Sequence, residues 1–189
     1  MISVTAIALG LGSLVVAGAA SAAGPSPYVA DGTQRDIKAL SPQQIEGYLE
    51  GRGMRMALAA ELNGYPGPRH VLELADELDL SPEQLAQTRR LFEDMRREAI
   101  ALGGRIVAGE ALLDELFASG TVSEAKLRDS AEALGRLNGE LRAHHLGYHL
   151  AMRDLLDPRQ IQKYRRLRGY ASAMPSGEHG HGHAGHGGQ

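Results

Sequence analysis

From Leu85 to Leu116, one set of residues falls alternately three and four apart: Leu85, Thr88, Phe92, Met95, Ala99, Leu102, Ile106, Gly109, Leu113 and Leu116 keep this spacing for more than four heptads. Such a period puts them on one stripe of an α-helix, and a stripe that long needs a partner helix. After Ala118-Ser119-Gly120 a second seam runs through Leu127, Ala131, Leu134, Leu137, Leu141, Tyr148 and Leu155. Two long helices joined by so short a turn must be antiparallel neighbours, so the sequence predicts an all-α fold built on a long helical hairpin. Thr121 and Glu124 in TVSE have the spacing of a capping box and are predicted to open the second helix.

Other helix starts are written three times in nearly the same words: LSPQQI at Leu40–Ile45, LDLSPEQL at Leu78–Leu85 and LDPRQI at Leu156–Ile161. Each has an apolar residue, a Ser or Asp N-cap, Pro at the first helical position, Gln at the third and Leu or Ile at the fourth. The cap oxygen accepts from a first-turn N–H, Gln44, Gln84 or Gln160 reaches back to the cap, and the apolar pair staples the first turn. Proline is suited there because its missing N–H had no helical partner. Helix initiation accounts for the motif completely, so chemistry has to come from other residues. The boundaries predict a first helix from the Ser41 cap to about Leu62, weakened by Gly47, Gly51 and Gly53. A short helix VLELADEL over 71–78 and a last helix from Asp157-Pro158 flank the hairpin.

Residues 1–23 carry no charged side chain, are apolar from Val4 to Ala20 and end in small residues. They predict an export signal cleaved after Ala22 or Ala23, with a retained membrane anchor as the alternative, and they place the protein in the periplasm. Residues 24–39 read as a linker, 40–170 as the helical domain and 171–189 as a His/Gly-rich low-complexity tail without the means to bury a core. Without cysteine there is no disulfide, no lipid attachment and no thiolate metal site. A net charge of −3 gives no field to attract nucleic acid.

Three groups of residues carry candidate chemistry. His179, His181, His183 and His186, spaced among glycines in the tail, are ready ligands for zinc, nickel or copper(II); the plain alternative is a solvating tail. His145 and His149, four apart on the second long helix, can face one ion, with Met152 a turn further on for a softer ion such as copper(I). The plain alternative is that they pack beside the seam, with His144 and Tyr148 on the adjacent face. Arg159, Lys163, Arg165, Arg166 and Arg168 form a basic stretch that suits anionic lipid or an acidic partner if it is not simply a solvated face. Glu93, Asp94 and Glu98 alternate with Arg90, Arg96 and Arg97 at salt-bridging spacing, and no set of residues reads as catalytic, so an enzyme is not expected and no cofactor is required.

The repeated L-[S/D]-P-x-Q, the hairpin between its last two copies and the stretch LRAHHLGYHLAMRDLLDPRQIQKYRRLRGY together resemble the Spy/CpxP family, over roughly Val71 to Tyr170. This LTxxQ-motif superfamily of exported helical proteins includes ZraP- and CnrX-like members. Here Ser or Asp stands for the usual Thr at the caps, and Arg159 for a common Glu. The resemblance implies a homodimer, often a curved cradle, and a part in envelope stress: ATP-independent chaperoning of unfolded or membrane-associated envelope proteins, restraint of a sensor kinase, or metal sensing. For chaperoning, an apolar and Arg-rich helical surface at Arg89, Arg96 and Arg97 is the client-binding candidate. Metal-sensing members place a His-x-x-x-His pair upstream of the first long helix, where this chain has His70 followed by Leu74. Their downstream ligands fall in the helix that carries His145, His149 and Met152. Chaperone or stress modulator is the first expectation, heavy-metal binding or sensing the alternative, and a structural envelope protein the third.

Overall fold

Six helices make up residues 35–170, the part of the chain that the computed structural model describes: α1 (Pro42–Leu49), α2 (Leu58–Leu62), α3 (Pro68–Glu73), α4 (Pro82–Ala118), α5 (Glu124–Leu155) and α6 (Pro158–Leu167). The described residues contain no strand, and α4 and α5 form the long antiparallel hairpin. No helix among them is long and apolar enough to cross a membrane. The predicted export signal, residues 1–23, and the histidine tail lie outside the described residues. Of the predicted linker, Ile37 is buried and Lys38 pairs with Asp114 at 2.9 Å, so packing begins upstream of residue 40.

All three Pro-containing repeats start helices as read. Ser41, Ser81 and Asp157 cap α1, α4 and α6, each with a complete capping box to Gln44, Gln84 or Gln160. The cap of α5 is different from the expected one: Ser123, not Thr121, accepts from the Lys126 N–H. Thr121 is already used in ending α4. There Gly120 sits at φ 66°, its N–H donates to Phe117 O and the Thr121 N–H reaches back to Leu116 O, a Schellman closure that leaves the new helix to start two residues later.

The same closure breaks the predicted first helix. Gly51 adopts φ 68°, its N–H donates to Tyr48 O at 3.2 Å and the Arg52 N–H to Gly47 O at 2.8 Å, so α1 stops at Leu49. A Cβ on Gly51 would stand 2.9 Å from the Arg96 carbonyl oxygen, so glycine is required by space as well as by φ. The chain then turns through Met54 and Arg55, both left-handed at φ 40° and 64°, before α2 begins. The short third helix is displaced too. It starts at Pro68, after Gly67, and ends at Glu73, where turns lead to Asp79 at φ 51°.

Ala99, Leu102 and Ile106 of α4 interlock with Leu134, Leu137 and Leu141 of α5, each side chain worth about 1.5–3 kcal/mol when fully buried if Leu or Ile. α1 crosses α4 where Gly103 lets the Tyr48 backbone carbonyl into the place of a side chain. Below them, Val71, Leu78, Met152, Leu156 and Tyr164 form a second core that fastens α3 and α6 to the base of the hairpin. Near the hairpin turn, Leu112, Phe117 and Leu127 are 59%, 57% and 40% exposed.

Candidate functional site

The Glu50–Ala57 turn, α2 and α3 wall a cleft of about 840 Å3 whose lining includes Glu61, Gly67, His70, His145 and His149. α2 contributes Glu61, which is 6% exposed. A carboxylate that deep needs partners. Its Oε1 accepts from the Gly67 N–H at 3.2 Å and from His70 Nδ1 at 2.9 Å, and its Oε2 from the Tyr164 hydroxyl at 2.6 Å. Burial alone would raise the Glu61 pKa, but the hydrogen bonds from His70 and Tyr164 and the charges of His70 and His149 outweigh it and hold the carboxyl below its ordinary range. The Tyr164 hydroxyl, buried and beside that carboxylate, is pushed well up and stays a donor.

Helical spacing sets His145 and His149 one turn apart on the buried face of α5. His149 Nδ1 lies 2.8 Å from the Tyr65 carbonyl oxygen, which can only accept, so Nδ1 carries a proton and Nε2 is the nitrogen left for a further partner. A methyl on Gly67 would come within 2.8 Å of Glu61 Oε1 and 3.2 Å of His149 Nε2, so only glycine lets the backbone pack this closely against both side chains. His145 is 2% exposed and its Nε2 is buried without a hydrogen-bond partner. Burial first, then the nearby charges of His144 and His149, lowers the His145 pKa to about 4, so the ring is neutral at neutral pH.

The other predicted residues are placed differently. His144 is committed to structure: its Nε2 donates to Met95 O at 2.9 Å and its ring meets Tyr148 edge-on. Met152 is fully buried among Val71, Leu78, Leu156 and Tyr164 and takes no part in lining the cleft. His179, His181, His183 and His186 lie outside the described residues. The three arginines expected to form one client surface have separate settings: Arg96 lines the cleft, Arg97 pairs with Asp94 at 2.6 Å and Arg89 borders a smaller hollow beside α3. Of the basic stretch, Lys163 pairs with Asp79 at 2.7 Å, and Arg168 lines the cleft.

Sequence reasoning missed Glu61 as a site residue. Its signal was a lone acid inside the apolar run LAAEL, directly before the Asn63-Gly64 turn. Among the described residues no three His, Cys, Asp or Glu side chains converge as a ready-made metal group. The cleft thus presents the imidazoles of His70, His145 and His149, with the Glu61 carboxylate held in hydrogen bonds. In comparisons with known proteins, no family model, curated protein or solved structure matches the chain.

Proposed function

We propose that this is an exported binding protein of the Spy/CpxP type, and that its cleft takes up a divalent transition-metal ion through His145 and His149. One observation carries the reading: the His145 Nε2 is buried and unpartnered, one helical turn from an imidazole whose other nitrogen is fixed on a backbone carbonyl. A buried polar atom without a partner costs about 1–3 kcal/mol, which a bound ion would offset. An outer hydrogen bond such as His149 makes to Tyr65 is the usual way a metal-binding imidazole is oriented. Imidazole suits zinc, nickel or copper(II), and the two rings would supply part of such an ion's ligand set. A bound ion would supply charge and coordination; the chain's own residues orient the rings and exclude water. The protein acts by binding and not by catalysis.

The test is isothermal titration with zinc, nickel and copper on the protein with His179, His181, His183 and His186 replaced by Ala. The reading expects one ion per chain, with affinity reduced at least about tenfold by His145→Gln or His149→Gln at unchanged helical dichroism. Loss of all binding with the tail replacement alone would refute it.

A second reading, capture of unfolded envelope proteins, is favoured by the exposed apolar side chains Leu112, Phe117 and Leu127 near the hairpin turn. Suppression of light scattering from an aggregating client, lost on changing these three residues to Ser, is the outcome this reading requires.

A further inference from the structure

The cleft is much larger than an ion, and its lining carries an excess of positive charge. Five arginines line it, Arg52, Arg55, Arg69, Arg96 and Arg168, against two glutamates, Glu50 and Glu61, in a chain whose net charge is −3. Arg52 is paired with Glu46 and Glu50, and Arg69 with Glu73. Among the described residues, no ion pair joins Arg55, Arg96 or Arg168 to a carboxylate, and the Arg168 Nε is buried with no partner. Arg55 is presented by a left-handed backbone that non-glycine residues seldom adopt, and strain of this kind gathers at sites that bind. A bare divalent cation entering here would meet uncompensated positive charge.

The donor count points the same way. Zinc takes four ligands, and nickel or copper four to six, whereas the cleft lining offers the imidazoles of His70, His145 and His149, which do not converge with any further His, Cys, Asp or Glu into a ready-made group among the described residues. Glu61 is satisfied by three hydrogen bonds and His144 by the Met95 carbonyl. The remaining positions on an ion have to be filled from outside the chain. An 840 Å3 cleft is within the range, about 300–1,000 Å3, that holds small organic ligands.

We propose, resting on the metal reading above, that the cleft takes its metal as a complex with a small polycarboxylate, His145 and His149 completing the coordination while Arg55, Arg96 and Arg168 receive the carboxylates. The anionic chelate removes the charge conflict, supplies the missing ligands and fills the space. Guanidinium forks match carboxylates in geometry, so the arginines select the chelate and the imidazoles select the metal.

The probes are nickel alone, citrate alone and preformed 1:1 nickel–citrate, each titrated calorimetrically into the protein with the four tail histidines changed to Ala. The expected result is binding of nickel–citrate at least about tenfold tighter than either component. Arg55→Gln with Arg96→Gln should weaken the complex about tenfold and leave nickel alone unchanged or tighter, while Arg136→Gln, on the exposed face of α5, has no effect. His149→Gln should weaken nickel and nickel–citrate together. If nickel alone binds and citrate merely strips it, the chelate proposal is overturned and the metal reading stands. Citrate binding equally well without nickel also overturns it, leaving an anion site. If neither nickel nor its complex binds, both readings fall.

Discussion

Gln84 and Gln160 hold each other by two reciprocal amide hydrogen bonds, Nε2 to Oε1 in both directions at 2.9 Å. Each is the third helical residue of its own capping box, and each also donates to a backbone carbonyl across the base of the hairpin, Gln84 to Leu155 O and Gln160 to Leu78 O. With the cap N–H groups of Ser81 and Asp157 accepted by the same oxygens, both side-chain amides use every donor and acceptor they have. Two copies of the repeated helix start are therefore also a clasp that docks α6 on the base of α4. The third copy caps α1 and its Gln44 is exposed.

The three glutamines should differ in cost although their local sequence is the same. Gln84→Ala or Gln160→Ala strands polar groups at the clasp and is expected to destabilise by about 1–3 kcal/mol. Gln44→Ala loses only half of a capping box and should cost under about 1 kcal/mol. Urea denaturation of the three variants checks this, and equal costs would show that the clasp adds nothing to the caps.

Adjacent glycines in α4 should respond with opposite signs. Gly103 is packed against the Tyr48 backbone, whereas nothing lies within 4 Å of a side chain built on Gly104. Gly104→Ala is expected to stabilise by about 0.5–1 kcal/mol through helix propensity. Gly103→Ala should destabilise by about 1–3 kcal/mol as α1 is pushed away. Thermal melts of both variants decide it.

The hairpin and the three Pro-containing caps were legible because they depend on local chemistry, cap residues and seam spacing acting within a few turns of one helix, whereas the α5 cap was placed at Thr121 and is Ser123. The Gln84–Gln160 clasp was not, since its partners are 76 residues apart and each glutamine already had a sufficient local role. Gly47, Gly51 and Gly53 were read as weakening one helix. Their effect was to end it, because Gly51 combines a left-handed φ with a close approach to α4 that only tertiary packing reveals. The His145 and His149 pair was visible in the spacing. Met152 shared that spacing, but one turn onward the same face meets α3 and α6 and has become core. Glu61 was hidden because its importance lies in partners from α3 and α6.

Acid should destabilise the protein in two windows. His145 is held neutral in the fold with its pKa lowered to about 4, while the unfolded chain protonates it near its ordinary 6.5. The unfolded state therefore binds the extra proton first, and stability falls as pH drops from about 6.5 to about 4. Glu61, with its pKa held below the ordinary 4.5, adds a further loss below that value. His145→Gln should flatten the upper window and leave the lower one. Melting temperature against pH for the two proteins tests the assignment.

The central claim is that the cleft imidazoles bind the ion, and it is tested most directly by long-range 1H–15N imidazole spectra during a zinc titration of the protein with Ala at 179, 181, 183 and 186. The account predicts that the Nε2 signals of His145 and His149 move to metal-bound positions at one equivalent, while the His149 Nδ1 stays protonated on the Tyr65 carbonyl. Zinc binding that leaves both rings unshifted would contradict it.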